Sequence, residues 1–156
     1  MLVLLPPSEG KAVGINGPPL DLATLSFPTL TRTRKKVLAD LVRLAKKERP
    51  ALQKALGLSD KQVHELDKNA ALKKAPTLPV LELYTGIVYA NLSYATLTGR
   101  AKQPADEPIP VASALFWLVP PPDRLPSYRL PGTPPLPRLR RLPPLLRPVI
   151  DPQPPP

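Results

Sequence analysis

Proline is the residue that most restricts what this chain can fold into. It fills 26 of 156 positions, and 15 of the 26 lie within the last 37 residues. Each proline fixes φ and removes a backbone donor, which keeps it out of helix interiors and central strands. From Pro120 onward no periodicity survives, and residues 131–156 read as a Pro-rich, poorly ordered tail. Further up the chain the same residue marks boundaries. Pro6 ends an apolar start, Pro50 ends a helical stretch, and Pro76 with Pro79 ends a second.

The segments between these stops carry the periodicity. Met1–Leu5 has no polar alternation and reads as a short strand buried on both faces, in a parallel or mixed sheet. Thr31–Arg49 is the clearest helix. Val37, Leu38, Leu41, Val42 and Ala45 make one apolar stripe, and Arg34, Lys35, Lys36, Arg43, Lys46 and Lys47 fall largely outside it. A second helical start is marked by Ser59 and Gln62, the S-x-x-Q spacing of a capping box, with Leu58 and Val63 at the staple positions. Val63, Leu66 and Ala70 give its buried face, His64 falls at the surface, and Gly57 joins this piece to the one before it. "VLELYTGIVYANL" has helical spacing around Gly86, and "VASALFWLV" reads as a buried strand leading into a turn. The length suits one domain. With 42% apolar and 4% aromatic residues, its core must rest on Leu, Val and Ala. The fold class expected is mixed α/β: a helical pair with a short mixed sheet.

Composition excludes several chemistries. There is no cysteine, so disulfides, thiolate nucleophiles and Cys-ligated zinc are out. One histidine makes no His-rich metal site, and the carboxylates show no ligand spacing, so neither a metal nor a cofactor is expected. No secretory signal or membrane-length apolar run is visible, which makes a cytoplasmic protein without a membrane partner the default. The net charge is +10 and is concentrated: residues 31–74 hold 13 Lys/Arg against 5 Asp/Glu. Such a segment suits a polyanion. The plain alternative is a solvated helical surface.

Three short motifs carry the candidate chemistry. "PPSEGK" places a Gly-Lys pair after the first strand, but a phosphate-wrapping loop of the G-x-x-x-x-G-K-[ST] type needs a glycine where Leu5 stands and a hydroxyl where Ala12 stands. What remains is a loop presenting Ser8, Glu9 and Lys11 at the end of a strand, with Lys11 a point charge for phosphate or carboxylate and Glu9 a possible base. "YTGIVY" offers phenols that either stack on a base or pack half-buried. "DRLPSYRL" gathers Asp123, Arg124, Tyr128 and Arg129, as a turn ion pair or as a carboxylate beside an arginine clamp.

In this order, "LLPPSEGK", "LYTGIVY" and "ASALFWLV…DRLPSYRL" resemble the bacterial peroxide stress protein YaaA family. The sequence between them is similar to the version seen in high-GC actinobacteria. The likeness covers residues 1 to about 130. It implies a single compact α/β domain with a positively charged cleft, DNA binding through a helical hairpin, and limitation of iron-driven peroxide damage. Carried over by motif position, the cleft residues are Ser8, Glu9, Lys11, Tyr84, Thr85, Gly86, Ser113, Asp123, Tyr128 and Arg129. No catalytic activity comes with the resemblance. Family members have Gly where Trp117 stands and continue beyond this terminus, so the domain over residues 1–130 is expected to be incomplete at its C-terminal side.

Three readings follow. In the first, the chain binds DNA through Arg34, Lys35, Lys36, Lys46, Lys47, Lys54 and Lys61, with little sequence preference. In the second, the cleft processes a nucleotide or base: Glu9 or Asp123 is the acid/base, Lys11 and Arg129 hold an anion, and Tyr84 stacks. In the third, the chain is a truncated fragment without independent function. The sequence leaves oligomeric state open.

Overall fold

A computed structural model describes residues 4–92 and 109–131. The proposed tail at 131–156 and the loop following Leu92 lie almost wholly outside the described residues, as do Met1–Val3 of the expected first strand.

The helical layer forms where the apolar stripe requires it. Helix α1 spans Thr31–Lys47 and buries Val37, Leu38, Leu41, Val42 and Ala45. Arg34 is buried on the same face, against the sequence expectation that it lies outside the stripe. The helix ends at Lys47, before the proline, and Glu48 departs from helical geometry (φ −130°, ψ 42°). Pro50 is not a stop. It sits in the first turn of α2, Arg49–Ala55, where the missing N–H would have had no partner anyway.

Gly57, at φ 64°, turns the chain into a 3-10 turn at Asp60–Gln62. Gln62 Oε1 there accepts from the Ser59 N–H at 3.1 Å. Helix α3, His64–Ala71, follows and packs chiefly on α1, burying Leu66 and Asn69. Complete burial of Leu41, Leu52, Leu66 and Leu72 is worth about 1.5–3 kcal/mol each.

The strands are short. β1, Thr77–Pro79, pairs antiparallel with β4, Arg124–Pro126, in the register Leu78↔Leu125. β2, Val111–Ser113, pairs antiparallel with β3, Trp117–Val119. The run "VASALFWLV" is therefore a hairpin, with a turn at 114–116 and then Trp117 at φ 63°. A three-residue loop closed by a left-handed residue favours glycine at that last position. Trp117 is accommodated with its indole buried. Leu5 bridges Val111 in parallel: Leu5 N donates to Pro110 O at 3.0 Å, and Leu5 O accepts from Ala112 N at 2.9 Å.

The "VLELYTGIVYANL" segment is two short helices, α4 at Val80–Leu83 and α5 at Ile87–Leu92. The break is made by the N-terminal loop. Ala12 N donates to Leu83 O at 2.8 Å and Thr85 N to Gly10 O at 3.0 Å, which pulls Lys11–Tyr84 into an antiparallel bridge. Gly86 leaves the break at φ 125°.

Candidate functional site

The break between α4 and α5 puts three distant segments against one another. From the first loop, the Ser8 hydroxyl donates to Thr85 O. A Cβ on Gly10 would lie 2.5 Å from Thr85 Oγ1, and one on Gly86 would lie 3.0 Å from Ser8 Oγ. Both glycines are therefore conditions of the close approach rather than flexible spacers.

Above this contact sits Lys11. Its Nζ donates to Ser8 O at 2.8 Å and lies 4.2 Å from the centroid of the Tyr128 ring and 5.2 Å from that of Tyr84. The two phenols are fixed below it. Tyr84 OH and Tyr128 OH are 2.9 Å apart, Ser113 Oγ is 2.8 Å from Tyr128 OH, and Ser113 Oγ accepts the Phe116 N–H at 3.0 Å. Burial pushes both phenols upward in pKa, so they remain neutral hydroxyls. Tyr89 stacks on Tyr84 with ring centroids 5.5 Å apart and donates to Pro6 O at 2.6 Å. Packed between Lys11 and Tyr89 and only 2% exposed, the Tyr84 ring presents no free face for stacking, so of the two roles open to the phenols it takes the packed one, against the stacking role of the nucleotide-processing reading.

Arg129 completes the group. Its guanidinium pairs with Glu9 Oε2 at 3.1 Å, while its buried Nε has no hydrogen-bond partner among the described residues. Its backbone is held on both sides by the fully buried Asn69: Nδ2 donates to Arg129 O at 2.8 Å, and Oδ1 accepts the Arg129 N–H at 2.9 Å. Desolvation and the nearby Arg129 charge together lower the Lys11 ammonium to about 8, with Glu9 and Glu65 acting in the opposite sense.

Ser8, Glu9, Lys11, Tyr84, Thr85, Gly86, Ser113, Tyr128 and Arg129 thus share one locality. Asp123 does not bond within it. Both its carboxylate oxygens accept the Ser26 N–H at 3.1 Å, and Oδ1 also accepts the Ser26 hydroxyl at 2.9 Å. The carboxylate holds the chain entering α1: five residues separate Asp123 from Arg129, three of them forming β4, so the two side chains lie at opposite ends of that strand.

Among the cations expected on a nucleic-acid surface, Lys35, Lys36, Lys46, Lys47, Lys54 and Lys61 are exposed. Arg34 is not. It is fully buried, and its guanidinium donates to Phe116 O at 3.0 Å, Ser26 O at 2.7 Å and Leu118 O at 2.8 Å. It ties α1 to the β2–β3 hairpin and cannot meet a phosphate. His64 is exposed beside Glu65, at 3.2 Å.

Two members of the site escaped sequence reasoning. Asn69 had a signal: it falls three residues after Leu66, on the buried face of α3, where a lone amide needs partners. Tyr89 gave none beyond its place in the motif. Among the described residues no group of three His, Asp or Glu side chains is placed to hold a metal ion, and no helix is long and apolar enough to cross a membrane.

Comparison with known proteins agrees with the motif order. Residues 1–144 match the family described as peroxide stress protein YaaA. A UPF0246 protein of Corynebacterium glutamicum is 45% identical over 132 residues, 85% of this chain and 51% of that protein. A UPF0246 protein of Streptomyces coelicolor is 44% identical over 129 residues, 83% of this chain and 50% of that protein. An uncharacterized protein of Campylobacter jejuni is 30% identical over 131 residues, 83% of this chain and 52% of that protein. The chain spans about half the length of the curated relatives it matches.

Proposed function

The chain belongs to the peroxide stress protein YaaA family, and on that premise we propose that it binds DNA through a basic helical surface and limits iron-driven damage under peroxide stress in the cytoplasm. The observation that carries this reading is the outer side of α1. Lys35, Lys36, Lys46 and Lys47 are exposed there, and none pairs with a carboxylate among the described residues. Lys35 lines the same shallow groove as Lys73, two residues past α3, with Asp21 the acidic residue of that lining. Lys54 on α2 and Lys61 in the following turn are exposed as well. Unpaired lysines of this kind contact phosphates as mobile point charges and read no bases, so the binding is backbone-based and without sequence preference.

The test is the salt dependence of binding to a DNA duplex, followed by fluorescence anisotropy. Each neutralised phosphate contributes about 0.9 to the slope of log K against log salt. Replacing Lys35, Lys36, Lys46 and Lys47 together by Ala is expected to flatten that slope by about 2–4 units. A slope that stays the same in the quadruple variant would remove the reading.

A further inference from the structure

The arrangement of cations around Glu9 does not match the needs of a purely structural ion pair. Asn69 spends both ends of a fully buried amide on fixing the backbone of Arg129. Among the described residues the guanidinium so positioned makes one ion pair, to a carboxylate that is itself 69% exposed, and its buried Nε has no acceptor. Lys11 is held in the same locality, its Nζ 3.4 Å from Glu9 O and 4.2 Å from the centroid of the ring of Tyr128, which is next to Arg129 in the chain, and the two positive charges repel. Glu9 is the counter-charge common to both cations; Glu65 also acts on Lys11 but is shared with Lys68 at 2.7 Å. Two partly desolvated cations with so little compensation are poised for an anion with more charge than Glu9 carries.

Glu9 also has somewhere to go. Its side chain lines an open groove of about 280 Å³ bounded by Pro6–Ser8 and Thr85–Tyr89. Its backbone is anchored independently, since Gly10 O takes the Thr85 N–H and the Ser8 hydroxyl is held by Thr85 O. The carboxylate can therefore leave Arg129 without disturbing the loop that positions Lys11.

We propose that Lys11 and Arg129 form a site for a phosphate group, and that Glu9 is its built-in competitor, pairing with Arg129 until a phosphate displaces it. A carboxylate ligand would only exchange one monoanion for another. A phosphate, approaching two negative charges at neutral pH, engages the guanidinium fork and the Lys11 ammonium together. The site regulates itself: the anion must out-compete an internal carboxylate, which rejects weak monoanions. This inference is independent of duplex binding by the helical lysines.

The experiment titrates the full chain with inorganic phosphate at constant ionic strength, reading affinity by calorimetry, with acetate as a parallel arm. Glu9→Gln is expected to bind phosphate about fivefold tighter than the parent, the factor set by loss of one exposed ion pair. Arg129→Gln is expected to abolish the binding, and Arg129→Lys, which keeps the charge and loses the fork, to weaken it. If Arg129→Gln does not fold, the Lys variant and Glu9→Gln still decide the matter. Equal affinity in the parent and Glu9→Gln overturns the competitor. Undiminished binding in the Arg129 variants, or acetate binding as tightly as phosphate, overturns the site. A 5′-phosphorylated oligonucleotide binding tighter than its 5′-hydroxyl twin assigns the phosphate to a strand end; equal binding assigns it to a free phosphate. Arg129→Gln is expected to leave the salt slope of duplex binding intact, which separates this outcome from the fate of the DNA reading.

Discussion

Two arginines in this molecule are withdrawn from solvent, Arg34 wholly and Arg129 in part, and they are held differently. Arg34, under α1, gives its guanidinium to three backbone carbonyls from two other segments and is completely enclosed. Arg129, at the loop site, is fixed through its backbone, keeps one donor unmatched, and meets only an exposed carboxylate. Burial of a cation is repaid only when its donors are satisfied. The first site is repaid within the fold. The second is repaid in part, and such residual demand for charge is what a binding site offers to a ligand. The contrast separates a cation that builds the fold from one that serves it, although both are arginines beside an aspartate or a glutamate in sequence or in space.

The sharpest way to break that contrast is Arg34→Met. Methionine fills much of the volume but leaves Phe116 O, Ser26 O and Leu118 O without donors. Hydrogen bonds to a charged group are worth about 1.5–3 kcal/mol each, so the loss expected is at least about 4 kcal/mol in urea melts. A loss below about 1 kcal/mol would mean that the three carbonyls find water, and that Arg34 is no more structural than Arg129.

Next in size is Asn69→Leu, which removes the clamp while keeping the volume. The Arg129 N–H and C=O are then stranded at about 1–3 kcal/mol each, and a destabilisation of about 2 kcal/mol is expected after partial relaxation. The informative readout is the pairing of this loss with weaker phosphate affinity. Destabilisation with unchanged affinity would show that Asn69 supports the fold and does not position Arg129.

These residues also show what the sequence displays and what it conceals. The α1 stripe was legible because five apolar residues repeat at helical spacing. Arg34 lies on the same spacing, one turn before Leu38, yet a charge at the edge of a basic run reads as solvated. Its burial is explained by Ser26 O and by two carbonyls of a hairpin more than 80 residues away, and local pattern holds no trace of the hairpin. The loop site was legible as three ordered motifs, while its geometry was not. Helical spacing through "LYTGIVY" concealed the break at Thr85–Gly86, because the N–H and C=O groups that break it come from Gly10 and Ala12. Asp123 stood in the same motif as Tyr128 and Arg129, but β4 carries it to the far end, against Ser26. Trp117 likewise gives no local sign of its left-handed backbone, at φ 63°, a conformation that the Gly of the family would adopt freely.

A smaller effect tests the charge state on which the second site depends. On folding, the Lys11 ammonium falls from 10.5 to about 8. Below about pH 8 both folded and unfolded chains hold the proton, and the folded state bears the whole cost of a desolvated cation. Between about 8 and 10.5 the unfolded chain holds more protons, so stability rises with pH; above 10.5 the gain is complete. Compared with Lys11→Met, the parent is expected to gain about 1 kcal/mol between pH 7 and 9. Parallel stability curves for the two proteins would show that Lys11 remains well hydrated and that no repulsion with Arg129 awaits a ligand.

The smallest effect is the complement of the first. Arg129→Met removes an ion pair whose acidic partner is mostly in water, and such pairs contribute about 0–1 kcal/mol. It also removes the unmatched Nε and the charge that opposes Lys11, and both changes favour the folded state. The expected change in stability is therefore within about 1 kcal/mol of zero, of either sign, against a loss several times larger for the same substitution at Arg34. A loss at Arg129 that matched Arg34 would make the loop-site arginine a second structural strap. A near-neutral result, joined to loss of phosphate binding, would show a side chain retained for what it binds and not for what it holds together.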